Sequence, residues 1–208
     1  LGMAHDAQGR KNDAMTYYEQ ALTLFREIED REGEALQLSN IGIIHSVQGD
    51  KTQAITFYEQ ALALYQEIGD QAGEGTMLNN IGKAHDALKE REKALQFFQQ
   101  ALEVRRQADD RKGEATTLNN IAGMYASTGD KQQAITYFEQ AKPILQEVDD
   151  KRGLITTITN IAASYASIGE ARKAAEIKKE IKALEKQIKA EVKQIKAKKR
   201  AYKRGKKA

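Results

Sequence analysis

The chain of 208 residues contains no cysteine, no tryptophan and a single proline. The absence of cysteine excludes a disulfide scaffold, a thiol nucleophile and a cysteine-ligated zinc or iron–sulfur site. The sequence also has no run of about 18 apolar residues, so a transmembrane helix is not expected. Its first residues, Leu1 to Met3, lead directly into a helical pattern and not into a signal peptide. We therefore expect a cytoplasmic protein.

The motifs of common catalytic sites are missing as well. The sequence contains no nucleophile elbow, no glycine-rich phosphate loop and no His-Glu zinc motif. Its many carboxylates cluster at predicted helix starts, where they stabilise the helix dipole. These features predict a protein without enzymatic activity, without a cofactor and without a metal site.

What the sequence does contain is an internal repeat of 40 residues. No insertion interrupts the period between residues 1 and 175. The predicted units are a truncated first repeat at 1–30, full repeats at 31–70, 71–110 and 111–150, a last repeat at 151–177 and a basic segment at 178–208. The residues that recur include Asn40, Asn80, Asn120 and Asn160, Asp30, Asp70, Asp110 and Asp150, and Gly33, Gly73, Gly113 and Gly153.

Each unit is predicted to consist of two helices, which we name helix A and helix B. In residues 51–68 the apolar residues recur at helical spacing. Gly49 suits the position just after helix A, and Asp50 is a favourable N-cap for helix B. Helix A begins near the recurring aspartate, for example Asp30, and runs for about 17 residues. Because strand periodicity is absent, the sequence predicts an all-α protein.

The recurring residues resemble the tetratricopeptide repeat family. The resemblance rests on the pattern Leu38, Ile41, Gly42, His45, Gly49, Ala54, Tyr58 and Ala61, and it covers residues 1 to about 177. It implies a right-handed superhelical solenoid of antiparallel helix pairs, with the A helices on the concave face. The period exceeds the usual 34 residues, and Asp-x-x-Gly replaces the usual proline between repeats. This longer variant resembles the repeats of Pins-type adaptors, rapsyn and bacterial multi-repeat proteins.

Asparagines occupy groove-facing positions of helix A under this resemblance. An asparagine amide offers two donors and an acceptor, so a row of them is suited to binding the backbone of an extended peptide. We therefore expect a protein or peptide ligand and a scaffold function. The alternative is that the asparagines cap or bridge an inter-repeat loop within the stack. The candidate contact residues are Ser39, Asn40, Asn79, Asn80, Lys83, Asn119, Asn120, Thr159 and Asn160.

Three histidines, His5, His45 and His85, also follow the 40-residue period. Equivalent helices lie at least 8–10 Å apart, whereas zinc requires ligand nitrogens about 2.0–2.1 Å away. Tyr125 and Tyr165 occupy the same position in later repeats. The histidines are therefore predicted to fill an aromatic packing position and not to bind a metal.

Charge is distributed unevenly along the chain. Residues 178–208 contain 14 lysines or arginines and three acids, a net charge of +11; since the whole chain carries +3, residues 1–177 carry −8. The basic segment also contains apolar residues at helical spacing. They predict one helix from about Ala171 to Lys199, along the stripe Ile177, Ile181, Leu184, Ile188, Val192 and Ile195.

Four interpretations of this helix remain open, and a cap on the last repeat is our main expectation. The helix also suits self-association as a short coiled coil or docking into the acidic groove of a neighbouring molecule. The fourth interpretation is binding to nucleic acid or an anionic membrane, through Lys189, Lys193, Lys196, Lys199, Arg200, Lys203 and Arg204. Apart from these four interpretations, the repetitive Ile-Lys-Ala usage of the helix also fits an engineered, architectural solenoid.

Overall fold

The computed structural model describes the backbone of residues 11–205 and the side chains of residues 13–191 and 193–195. Within this range the chain forms nine α-helices and no strand. The helices are α1 (Lys11–Glu27), α2 (Arg31–Gln48), α3 (Lys51–Ile68), α4 (Gln71–Ala87), α5 (Arg91–Gln107), α6 (Arg111–Thr128), α7 (Lys131–Glu147), α8 (Lys151–Ser167) and α9 (Ala171–Gly205). Helices α2, α4, α6 and α8 are the predicted A helices, and the others are B helices.

Aspartates fix the helix starts, as the sequence predicts. In six helices the Asp Oδ1 at the N-cap accepts a hydrogen bond of 2.8–3.0 Å from the backbone N–H three residues later. This bond satisfies one of the amide groups that have no partner within the helix. The six caps are Asp30, Asp50, Asp70, Asp110, Asp130 and Asp150.

The helix ends require left-handed backbone. Gly49 has φ +98° and Gly129 has φ +92°, which confirms the position assigned to glycine after helix A. At the equivalent place in the third repeat stands Lys89, with φ +67°. A residue with a Cβ is strained in this conformation, so the chain keeps the turn geometry even where the sequence does not provide glycine.

The structure divides into two compact units, residues 1–124 and 125–208, with the boundary inside α6. In the first unit, helices A and B of one repeat cross closely at small residues. A Cβ added to Gly42 would lie 2.6 Å from the ring of Tyr58, and one added to Gly82 would lie 2.8 Å from the ring of Phe98. Both rings are buried. The aromatic residue of helix B thus fills the space that the glycine of helix A leaves.

The second unit contains α7, α8 and α9. Pro143 lies inside α7, where it removes one backbone hydrogen bond without ending the helix. Helix α9 packs against α8 and continues as one helix of 35 residues. It therefore extends six residues beyond the predicted end at Lys199 and includes both the last part of the repeat and most of the basic segment.

Candidate functional site

Helices α2, α4 and the first part of α6 carry the candidate groove residues of the first unit. Helix α2 exposes three apolar side chains on one face, Leu36 at 48%, Ile43 at 38% and Val47 at 59%. Asn40 lies between the first two in the sequence and is half-buried, as is its counterpart Asn80 on α4. Lys83, one helical turn after Asn80, is exposed. These side chains together present apolar surface, amide groups and one cation on α2 and α4.

Two of the predicted contact residues lie inside the stack. Ser39 is 7% exposed and Asn79 is 5% exposed, so neither presents a surface of useful size. Asn79 Oδ1 accepts a hydrogen bond of 2.9 Å from Asn120 Nδ2 and one of 3.2 Å from Thr117 Oγ1. These contacts hold Asn79 inside the stack, where it joins two helices and does not cap or bridge an inter-repeat loop. The bridging role belongs to Asn79, with half-buried Asn120 as its donor.

A buried arginine continues this network. Arg105 of α5 is 5% exposed, and its Nη1 donates to Thr117 Oγ1 at 2.9 Å and to the backbone oxygen of Gly113. Its Nε lies 3.7 Å from Asp110 Oδ2 and has no hydrogen-bond partner. Burial lowers the pKa of Arg105, whereas the charge of Asp110 acts to raise it. The chain of bonds from Arg105 through Thr117 to Asn79 therefore joins α5, α6 and α4.

Sequence reasoning did not identify Arg105 or Thr117, although the repeat contains a signal for the arginine. Phe25, Tyr65 and Leu145 occupy the position of Arg105 in the other repeats, so the charge is an exception in an apolar row. A Cβ added to Gly113 would lie 2.9 Å from Arg105 Cδ. The glycine of the next repeat thus makes room for the long side chain.

The remaining candidates are placed on both units. Asn119 is half-buried on α6. In the second unit, Asn160 and Thr159 are exposed on α8, and Thr159 Oγ1 donates to the backbone oxygen of Ile155 at 2.7 Å. The structure thus brings Asn79 and Asn120 into direct contact.

The histidines pack as aromatic rings. His45 stacks on Phe57 and His85 on Phe97, each with ring centroids 5.3 Å apart and an interplanar angle of 10°. Tyr125 stacks in the same way on Tyr137, at 5.6 Å. The predicted aromatic packing position is thereby observed for the two described histidines, and His5 lies outside the described residues.

His85 has an additional polar partner. Its Nδ1 lies 2.6 Å from Glu90 Oε2. This hydrogen bond from His85 lowers the pKa of Glu90, and Lys93 at 3.4 Å acts in the same direction. Glu90 stands at the N-cap of α5 but forms no capping hydrogen bond with its side chain. Its carboxylate bonds instead to His85 of the preceding helix.

The described residues contain neither a metal-binding cluster nor a helix suited to spanning a membrane. Among them, no group of three or more His, Cys, Asp or Glu side chains has an arrangement suited to a metal ion. No described helix combines the length and the apolar composition needed to cross a membrane.

The basic segment is attached to the last two repeats by two ion pairs. Lys142 of α7 lies 3.0 Å from Glu180, and Lys151 of α8 pairs with Glu191. The hydrogen bond between the latter two raises the pKa of Lys151 and lowers that of Glu191. Lys189 and Lys193 are exposed. The side chains of the other predicted anion contacts, Lys196, Lys199, Arg200, Lys203 and Arg204, lie outside the described set.

Comparison with known proteins gives the family. A family model described as Tetratricopeptide repeat matches residues 30–107 and 113–184, and a second model with the same description matches residues 1–32. A comparison with curated protein sequences gave no match. The three matched segments together cover most of the chain, including all predicted repeats.

Solved structures of similar fold agree with this match. BtubC (BKLC) from P. vanneervenii is 25% identical, with a TM-score of 0.81, over 91% of this chain and 78% of that protein. Aspartyl phosphate phosphatase F from Bacillus subtilis is 20% identical, with a TM-score of 0.82, over 89% of this chain and 49% of that one. A Rap protein complexed with Competence and Sporulation Factor is 22% identical, with a TM-score of 0.73, over 88% and 51% of the two chains. This chain belongs to the tetratricopeptide repeat family.

Proposed function

We propose that this chain is a non-enzymatic protein–protein interaction scaffold that binds an extended peptide on the A helices of its first unit. The family and its structural neighbours support the scaffold function, and one neighbour was solved in complex with a factor that it binds. The observation that carries the peptide assignment is the face of α2. There, Leu36 and Ile43 are exposed on the same helix as the half-buried amide of Asn40.

The proposed contacts divide into two kinds. Leu36 and Ile43 would bury apolar side chains of the peptide, each contact contributing about 25 cal/mol per Å² of apolar surface removed from water. The amides of Asn40 and Asn80 would hydrogen-bond the peptide backbone, which every extended peptide presents. The groove positions include the charged residues Lys83 and Asp86 but no cluster of basic residues. An internal segment therefore suits this surface better than a terminal carboxylate.

Because Asn79 and Asn120 form hydrogen bonds within the stack, only the other asparagines give an interpretable binding test. Replacing Asn79 or Asn120 would break a hydrogen bond inside the stack, so a loss of binding could reflect a damaged fold. Asn40 and Asn80 occupy the same position in successive repeats and are half-buried. They are therefore the informative pair.

The experiment begins with selection of a binding peptide. A library of random 15-residue peptides is selected on the full chain, and one selected peptide is synthesised with blocked termini. Calorimetry then compares the wild type with an Asn40→Ala/Asn80→Ala variant. Two lost amide bonds of about 1 kcal/mol each predict a 10- to 30-fold weaker affinity.

A matched control uses amides on the other helices of the same two repeats. Gln60 and Gln100 are exposed on α3 and α5, again at equivalent positions. The Gln60→Ala/Gln100→Ala variant should bind the peptide like the wild type. Equal affinities of both double variants, or a library that yields no peptide tighter than about 100 µM, would reject the groove assignment.

A further inference from the structure

A straight row of lysines runs along the exposed side of α9. Lys179, Lys182, Lys186, Lys189 and Lys193 follow one another at intervals of three, four, three and four residues, and all five are exposed. An α-helix has 3.6 residues per turn, so this spacing keeps the five side chains on one face. At 1.5 Å per residue the row is about 21 Å long. We name these five residues the lysine ridge.

The opposite face of α9 is used by the fold. Ala174 is buried, and the apolar residues that follow it at helical spacing, from Ile177 to Ile188, are half-buried. Glu180 and Glu191 pair with lysines of α7 and α8. These contacts hold the apolar face of α9 toward the last repeat, so the lysine ridge faces solvent.

The sequence continues the same intervals beyond the ridge. Basic residues recur at positions 196, 200 and 203 of the same helix, so the spacing persists over 24 residues, or about 36 Å of helix. Residues 192–208 contain nine lysines or arginines and no acid. Two of the three acids in the basic segment already pair with the repeat, and only Glu185 is exposed beside the ridge.

We propose that the lysine ridge binds the phosphate backbone of a double-stranded nucleic acid. A duplex carries one negative charge per about 1.7 Å of its axis and a dense layer of condensed counterions. The ridge presents one cation per about 5 Å in a straight line. A regular line of cations can contact several phosphates at once and release their counterions, which is the main source of sequence-independent affinity.

An anionic membrane fits the geometry less well. An amphipathic helix that lies on a membrane buries its apolar face among the lipids. In α9 that face packs against α8 as far as Ile188. Membrane insertion would therefore require α9 to leave the repeat and to give up its ion pairs with Lys142 and Lys151.

A second copy of the chain is also a weaker partner. Eight acidic residues of the repeats are committed to internal contacts. Six aspartates cap helices, and buried Glu34 and Glu114 each pair with two arginines. These eight carboxylates are therefore not free to match the ridge.

The test measures binding of fluorescein-labelled 24-base-pair duplexes, one of DNA and one of RNA, by anisotropy between 50 and 300 mM NaCl. We expect the wild type to bind tighter than about 10 µM at 50 mM NaCl, with affinity falling steeply as salt rises. A variant with the five ridge lysines changed to glutamine should bind at least 30-fold more weakly. The slope of log K against log salt should become smaller in magnitude by about 4, as expected for five lost phosphate contacts.

The control variant removes the same charge elsewhere. It changes five exposed cations off the ridge to glutamine, so that both variants carry a net charge of −2 instead of +3. We expect it to bind the duplexes within about threefold of the wild type. Equal weakening of both variants would show that only net charge matters and would overturn the proposal. The five control positions are Lys89, Arg91, Lys93, Lys112 and Arg152.

Two further measurements separate the other partners. Vesicles containing 30% phosphatidylserine should bind more weakly than the duplexes, and vesicle binding without duplex binding would overturn the proposal in favour of a membrane. Sedimentation at 50 mM NaCl should give the same mass for the wild type and the ridge variant. An assembly that the ridge variant abolishes, together with no duplex binding, would assign the ridge to self-association.

Discussion

Asn79 and Asn120 stand 41 residues apart in the sequence, and a hydrogen bond of 2.9 Å between their side chains joins α4 to α6. Asn79 uses its amide oxygen twice, since Thr117 Oγ1 donates to it as well. Asparagine is a mediocre helix former, and this bond gives one of the mid-helix copies a structural reason. The asparagines of helix A therefore do not form a single class of groove residue.

Replacing Asn79 should destabilise the first unit. In an Asn79→Ala variant, the amide of Asn120 and the hydroxyl of Thr117 lose their common acceptor, and Thr117 is fully buried. We expect a loss of about 2 kcal/mol in the free energy of unfolding. Urea denaturation followed by circular dichroism measures it, with Asn80→Ala as the control, expected to change stability by less than about 0.5 kcal/mol. Equal effects of the two substitutions would contradict the bridging role.

Arg105 is expected to be replaceable by an apolar residue of similar length. Its buried charge has an Nε without a hydrogen-bond partner, and Asp110 beside it is 34% exposed, so water can solvate that carboxylate once the arginine is gone. Replacing buried charges by well-packed apolar residues is then often neutral or stabilising. Leucine occupies the equivalent position at Leu145. An Arg105→Leu variant should therefore lie between no change and a gain of about 2 kcal/mol. Arg105→Ala should lose about 2–3 kcal/mol because it leaves a cavity.

Thermal unfolding of both Arg105 variants in parallel is the measurement. We expect the Arg105→Leu variant to have a higher midpoint temperature of unfolding than the Arg105→Ala variant. If leucine proved less stable than alanine, the hydrogen bonds of Arg105 to Gly113 and Thr117 would contribute more than its burial costs.

Much of the repeat architecture is predictable from the sequence because local chemistry determines it. The aspartate caps and the glycine turn at Gly49 each depend on residues close together in the chain. The 40-residue period then repeats these local features along the sequence. The stacking of His45 is also predictable, because tyrosine fills the same position in later repeats. These features are all present in the structure.

The different structural roles of the asparagines could not be predicted from the sequence in the same way. Asn79 and Asn80 are neighbours in the chain and have the same chemistry, but successive residues of a helix point about 100° apart. Which of them faces the next helix depends on how α4 and α6 pack, and that is set by side chains from separate repeats. Arg105 depends likewise on the space that Gly75 leaves for it. Alanine stands at the equivalent positions 35 and 115, so the period alone does not specify this contact.

Lys89 provides a test of backbone strain in the turns. Its φ of +67° is the left-handed conformation that glycine adopts at the equivalent Gly49. Lys89→Gly should raise the free energy of unfolding by about 0.5–1 kcal/mol. Gly49→Ala should lower it by about 1 kcal/mol, and this cost is purely conformational because nothing lies within 4 Å of the added Cβ. Urea denaturation of both variants checks the opposite signs, and a change in the same direction would exclude turn strain as the cause.

The ion pairs of Glu34 predict a pH dependence of stability. Burial acts to raise the pKa of Glu34, but hydrogen bonds from Arg26 at 2.7 Å and Arg31 at 3.0 Å outweigh it, so the pKa lies below its ordinary value. In the unfolded chain the carboxylate of Glu34 binds a proton more readily, with a pKa of about 4.3. The stabilisation is therefore complete above about pH 5 and is lost as the pH falls through the folded-state pKa.

A Glu34→Gln variant should remove this dependence. Both arginines are about half exposed, so the expected loss of stability at pH 7 is roughly 1 kcal/mol, and it should shrink as the pH falls through the folded-state pKa of Glu34. Urea denaturation at several pH values measures the difference. Glu74→Gln is the matched control, because Glu74 occupies the same position one repeat later and bonds to the neutral side chain of Gln66. If the Glu34 and Glu74 variants show the same difference from the wild type at every pH, the two arginines are not the cause.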